Sequence, residues 1–150
     1  MPDRFFIDAN VVMYAVGPEH PKRAGCVEFL REVAADPSRC HSSAEVLQEL
    51  LHVYLRRGQL AEAREAIASL ANALGQQVVP LLPADVVRSA GYPEIPGLQA
   101  RGRVHLAVME RLGITRIVST DRAFDLADGI TRLDPADFLA WRTETCAGNP

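Results

Sequence analysis

The sequence predicts an α/β fold of three layers, α/β/α, with a short, mainly parallel central sheet. Three observations predict it. Short apolar runs bounded by polar residues alternate with stretches of helical periodicity along the whole chain, the pattern of repeated strand–helix–strand units. The two most apolar strand segments, "RFFID" and "TRIVSTD", each deliver an aspartate at their end. A length of 150 residues suits one domain, spanning 1–150, with a sizeable core.

Residues 4–8 read as the first buried strand. The apolar run from 10 to 16 stops at the breaker pair Gly17-Pro18, and Asn10 can start a short helix there. From Pro21 to about Ala35 the apolar residues Ala24, Val27, Leu30 and Val33 recur at helix spacing, and Asp36-Pro37 ends the run. A short strand fits Arg39 to His41. In "SSAEVLQELLHVYLRRG", Ser42 and Glu45 fit a capping box. Leu47, Leu50, Leu51 and Tyr54 form an apolar stripe, and Gly58 is a natural stop. A second, alanine-rich helix over 60–74 ends at Gly75. The stretch 76–82 suggests an edge strand, because Pro80 cannot donate to a ladder. A short helix over 83–91 and the loop "YPEIPG" follow. A helix over 98–112 then ends at Gly113, "TRIVST" makes a strand, 130–133 make the last strand, and Pro135 opens a final helix. Residues from about 145 to 150 are expected to be a frayed tail.

The composition, 48% apolar and 23% charged, is that of an ordinary soluble domain. No apolar run approaches the roughly 18 residues of a membrane span, and the N-terminus lacks a leader pattern, so a cytoplasmic protein is expected. Cys26, Cys40 and Cys146 include no CxxC pair, which argues against disulfides and zinc knuckles. The net charge of −3 argues against a generally basic nucleic-acid binder. It is compatible with acids gathered on a divalent cation, which reverses the local sign.

In parallel sheets, ligands bind outside the carboxyl ends of the strands. Asp8 and Asp121 should therefore face one crevice, although either could simply cap a helix. Glu45, Glu49, His52 and Arg56 share one helix face, and periodicity alone reads that face as solvated. Asp125, four residues after Asp121, either leans on the same site or pairs on the surface. Asp85, Asp128, Asp134 and Asp137 read as structural. Carboxylates converging without His or Cys would make a hard oxygen site suited to Mg²⁺ or Mn²⁺, the equipment of phosphodiester hydrolysis. His52 and His105 are conceivable general bases, but His105 sits in the apolar stripe of its helix and reads better as a hydrogen-bonded, partly buried residue. There is no P-loop, GxGxxG or GxSxG. A haloacid-dehalogenase-type phosphatase or a receiver domain would need a lysine beside the phosphoryl group, and no lysine follows Lys22. The dehalogenase type also needs a second acid where this chain has Asn10.

"FIDANVVMYA", "SSAEVLQELLHVYLRRG" and "HLAVMERLGITRIVSTDRAFD", in that order and spacing, resemble the PIN-domain ribonucleases, and most of all the VapC toxins of toxin–antitoxin pairs. The resemblance runs on through "ITRLDPADFL". It implies a PIN-like α/β/α fold and a metal-dependent endoribonuclease. Partners would be RNA, a cognate VapB-like antitoxin and a second copy of the chain in a homodimer. By this resemblance Asp8, Glu49 and Asp121 are the catalytic acids and, with Asp125, the Mg²⁺ (or Mn²⁺) ligands. Asn10 and Ser119 support them. Water activated on the metal would attack phosphorus in line, leaving 5′-phosphate and 3′-hydroxyl ends. Arg101, Arg103 and Arg122 lie near the acids in sequence and are candidates for RNA phosphates. One position departs from the family pattern: Gly102 stands where another acid is expected, so a weakened or inactive enzyme is implied. The alternative is a catalytically dead module that binds antitoxin or RNA.

Overall fold

The computed structural model describes residues 3–146. Five parallel strands form one sheet in the order β3-β2-β1-β4-β5, with β1 (Phe5–Ile7) in the middle. β2 (Cys40–Ser43) and β3 (Val78–Val79) lie to one side of it, and β4 (Arg116–Val118) and β5 (Thr131–Leu133) to the other. Phe5 pairs with both Cys40 and Arg116, and Ile7 with Val118. The chain grows from β1 in one direction and then crosses to the other, so the gap between the carboxyl ends of β1 and β4 is the topological switch point where α/β folds bind ligands.

Seven α-helices are described: α1 (Ala9–Val16), α2 (Arg23–Ala35), α3 (Ala44–Arg56), α4 (Leu60–Leu74), α5 (Pro83–Ala90), α6 (Ala100–Leu112) and α7 (Phe138–Cys146). α1 packs against α2, α3 and α4, α2 packs against α7, and α5 packs against α6. All three residues of β1 are buried, as parallel strands covered on both faces require. The core includes Phe29, Phe138 and Trp141, whose rings meet at centroid separations of 5.0–5.6 Å. Gly25 is dictated by packing: a Cβ there would stand 2.1 Å from the Pro135 carbonyl oxygen. Gly113 closes α6 in the left-handed conformation, at φ 71°.

Several sequence expectations need correction. The Ser42–Glu45 capping box does not form. Ser43 is the N-cap of α3 and makes no side-chain cap bond, and the Ser42 hydroxyl donates instead to the carbonyl of Ile7, 3.0 Å away, tying β2 to β1. Capping of α1 falls to Asp8 rather than Asn10. The strand expected over 76–82 shrinks to two residues, because Gly75–Gln77 form a 3₁₀ turn. Pro135 opens a 3₁₀ turn, Pro135–Asp137, ahead of α7. α7 runs through Cys146, so 145 and 146 are helical, and 147–150 of the expected tail lie outside the described residues. Cys26 and Cys40 are free and buried, and burial pushes both thiols up to about 12. Among the described residues no helix is long and apolar enough to cross a membrane.

Candidate active site

Asp8 follows β1 directly and caps α1, its Oδ1 accepting from Ala9 N at 2.7 Å. Ser119, just past β4, donates its hydroxyl to Asp8 Oδ2 at 2.7 Å and accepts from Asp121 N at 3.0 Å. Asn10 reaches across the switch point, its amide donating to Ser119 Oγ at 3.0 Å and its oxygen accepting from Thr120 N at 3.0 Å. These bonds fix the ends of β1 and β4 relative to each other and hold the buried Asp8 carboxylate in the wall of the pocket. α3 contributes Glu49 and α6 contributes His105.

The His105 Nε2 stands 3.5 Å from Asp8 Oδ1 and 3.4 Å from Glu49 Oε2. One ligand atom from each of these three residues lies within 4.8 Å of the others. The ring is fully buried, 5.4 Å from the Phe6 ring, and among the described residues its Nδ1 has no hydrogen-bond partner. Burial alone would push His105 down, but hydrogen bonds to Asp8 and Glu49 and their charges outweigh it and hold it at about 9. Burial likewise works to raise Asp8, and its bonds to His105, Ser119 and Ala9 N overcome that and hold it below the ordinary carboxylate range. Asp8, Asn10, Glu49, Arg101, His105 and Asp121 line one open pocket of about 390 Å³, with Gly102 and Phe124 also in its wall. Asp8, Glu49 and His105 form a group of the kind that could hold a metal ion, and Asp121 lines the same open pocket.

Residues 5–130 match the PIN domain family. The chain belongs to the PIN-domain family. Ribonuclease VapC23 of Mycobacterium tuberculosis is 40% identical over 117 residues, covering 77% of this chain and 91% of the relative. Ribonuclease VapC13 of the same organism is 35% identical over 131 residues, 85% and 97% of the two chains. Among solved structures, Mycobacterium tuberculosis VapC20, described as a sarcin–ricin loop cleaving toxin, superposes with a TM-score of 0.65 at 18% identity. The match covers 83% of this chain and 95% of that one. FitAcB from Neisseria gonorrhoeae gives 0.64 at 16%, covering 87% and 97%. At those identities the two structures speak for the fold.

Within this PIN domain the other sequence candidates separate. Asp125 is not brought to the pocket. It lies in the 3₁₀ turn Arg122–Leu126, and both of its oxygens accept from Arg132 of β5, at 2.9 and 3.0 Å, which holds its carboxyl below the usual range. Arg103 is not available to RNA phosphates. Its guanidinium donates to the carbonyls of Ser89, Tyr92 and Pro93 at 2.5–3.1 Å and clamps the end of α5 to the following loop. Arg101 does line the pocket, 3.5 Å from Glu45, and Arg122 is exposed beside Asp121. His52 does not line the pocket.

The pocket also contains a histidine that the reading of a His-free acid cluster left out. The signal was present, since "RVHLA" puts His105 one helical turn after Gly102. Gly102 is buried in the first turn of α6. A Cβ built on it would stand 2.4 Å from Leu98 Cδ1 and 3.4 Å from the tip of Phe124. Leu98 occupies the volume that a larger side chain at 102 would use.

Proposed function

We propose that this chain is a divalent-metal-dependent endoribonuclease toxin of the VapC type that hydrolyses RNA phosphodiester bonds and is held in check by a cognate VapB-like antitoxin. The observation that carries the reading is the convergence of Asp8, Glu49 and Asp121 on one open pocket at the β1–β4 switch point. The ribonuclease names of relatives at 35–40% identity support it.

The donor set fits a hard cation: Asp8, Glu49 and Asp121 offer carboxylate oxygens, and the His105 ring lies between two of them, where it answers their charge. Mg²⁺ or Mn²⁺ is the ion those oxygens suit. When bound, such an ion supplies an activated water and screens the charge developing on phosphorus. The protein's own part is positioning. Ser119 and Ala9 N hold Asp8 in one rotamer, Asn10 locks the turn that carries Asp121, and buried His105 keeps Asp8 and Glu49 together against their mutual repulsion. Arg101 is placed to meet a phosphate oxygen at the rim. We further propose that the working unit is a homodimer in the cytoplasm.

Gly102 favours a second reading, a PIN module of weakened activity, because the pocket has three carboxylates where the family pattern carries a fourth. One experiment addresses both. RNA cleavage with and without Mg²⁺ is compared for this chain and for Gly102→Asp combined with Leu98→Ala, which vacates the space an aspartate needs. The expected result is Mg²⁺-dependent cleavage that rises in the double variant. Equal rates would sink the role given to Gly102, and no cleavage by either protein would sink the nuclease reading.

A further inference from the structure

Beside the catalytic pocket lies a second hollow of about 290 Å³ that the mechanism does not use. Asn10 belongs to both, so the hollow is the next compartment along the same surface. Its walls include Met13, Tyr14, His20, Arg57 and Thr120. Tyr14 sits on α1, six positions beyond Asp8, about 9 Å along the helix. The His20 ring leans over it at a centroid separation of 4.8 Å and a tilt of 40°. Lys22 N donates to His20 Nδ1 at 3.1 Å, which fixes that ring and leaves Nε2 as its N–H donor. The Lys22 ammonium lies 5.5 Å from the Tyr14 centroid, and Arg57 is exposed on the rim.

We propose that this hollow is a nucleobase subsite, in which Tyr14 and His20 hold an unstacked base of single-stranded RNA next to the phosphate presented to the carboxylates, with Lys22 and Arg57 on the adjoining backbone. The inference rests on the nuclease reading above. Aromatic rings between cations are the combination that binds single strands: rings stack bases and cations track phosphates. The volume is at the lower end of ligand pockets, about 300 Å³ and up, which suits a single base. No wall residue is acidic, and the nearby Glu19 is answered by Arg23 at 3.1 Å. The larger groove of about 630 Å³ beside α6 is the contrary case, because Glu94, Glu110 and Asp128 in its walls repel a polyanion.

The test is a fluorescence titration in Mg²⁺ of a single-stranded RNA carrying 2-aminopurine at one position at a time. It is run on this chain and on its Tyr14→Phe, Tyr14→Ala and His20→Ala variants. One position should be quenched on binding. Tyr14→Ala should weaken binding about tenfold and abolish that quench, and Tyr14→Phe should keep both. His20→Ala, at an exposed position, should weaken the quench and keeps the test standing should Tyr14→Ala unfold. RNA that binds and is cut with no change in Tyr14→Ala or His20→Ala overturns the subsite alone. RNA that does not bind at all overturns the nuclease reading with it. Tyr14→Ala that loses the antitoxin while keeping RNA assigns the hollow to the protein partner and overturns the proposal.

Discussion

Two acid–base clusters use different faces of α6, and they are built differently. In one, Asp85 of α5 is fully buried and every oxygen is answered: Arg111 donates through Nε at 2.8 Å and Nη2 at 3.0 Å, and Leu82 N donates at 2.9 Å. Arg111 also reaches the Pro80 carbonyl at 2.8 Å. In the other, His105 meets Asp8 and Glu49 at 3.4–3.5 Å, its Nδ1 has no hydrogen-bond partner among the described residues, and the group opens onto a pocket. The short, saturated cluster fastens α5 and the β3 exit to α6. In the looser one Asp8 is held by Ala9 N and Ser119, and the openness lies at Glu49, whose side chain is a quarter exposed on the pocket. A tight pair away from that pocket reads as structural, and a long-range cluster beside an open mouth reads as a candidate site.

That contrast is open to direct attack. The largest effect should come from Glu49→Gln, which removes a carboxylate charge from the pocket at a quarter-exposed side chain. RNA cleavage should fall to background while the urea unfolding midpoint moves little. A protein that unfolds, or that cuts as before, breaks the distinction. Asp85→Ala should do the reverse. It leaves Arg111 without its partner, at a cost of about 3 kcal/mol, the low end for breaking a buried pair because Arg111 keeps some access to water. Its cleavage rate, measured well below its unfolding temperature, should be unchanged.

Ser119→Ala takes away the hydroxyl that holds Asp8 and Asp121 N. Cleavage should drop about 10- to 100-fold, as for other groups that orient a metal ligand, and Mg²⁺ should be needed at higher concentration. The smallest effect concerns acid. The Arg111 hydrogen bond above all depresses the Asp85 carboxyl. A depressed carboxylate contributes stability that is fully present above its unfolded value, about 3.9, and is lost as pH falls through the lower folded value. Urea midpoints at pH 5 and pH 3 should therefore converge between the parent and Asp85→Asn as pH falls.

Much of this organisation is legible in the sequence. Phe5–Ile7 and Arg116–Val118 declare buried parallel strands, and an aspartate at the end of each is brought to the switch point by topology alone. Glu49 is not legible from periodicity, because a helix face carrying Glu45, Glu49 and His52 reads as solvated; the family pattern is what separates Glu49 from Glu45. Asp125 misleads because sequence proximity to Asp121 suggests a shared site, whereas a 3₁₀ turn swings it onto Arg132, a partner seven residues away on another strand. Arg103 misleads in the same way, since nothing local announces that the carbonyls of Ser89 at the end of α5 and of Tyr92 and Pro93 in the following loop will occupy it. The failed Ser42–Glu45 box has a tertiary cause: β2 runs on through Ser43, and Ser42 spends its hydroxyl on β1.

Asp8, Glu49 and Asp121 are proposed here to form a metal-dependent phosphodiesterase site. Its most direct test is the cleavage of a defined RNA by this chain against Mg²⁺ concentration, with the product ends identified and Asp8→Asn run in parallel. The expected result is slow cleavage that saturates with Mg²⁺, stops on chelation, leaves 5′-phosphate and 3′-hydroxyl ends and disappears in Asp8→Asn. Cleavage that persists in chelator, leaves 2′,3′-cyclic phosphates or survives in Asp8→Asn would contradict it.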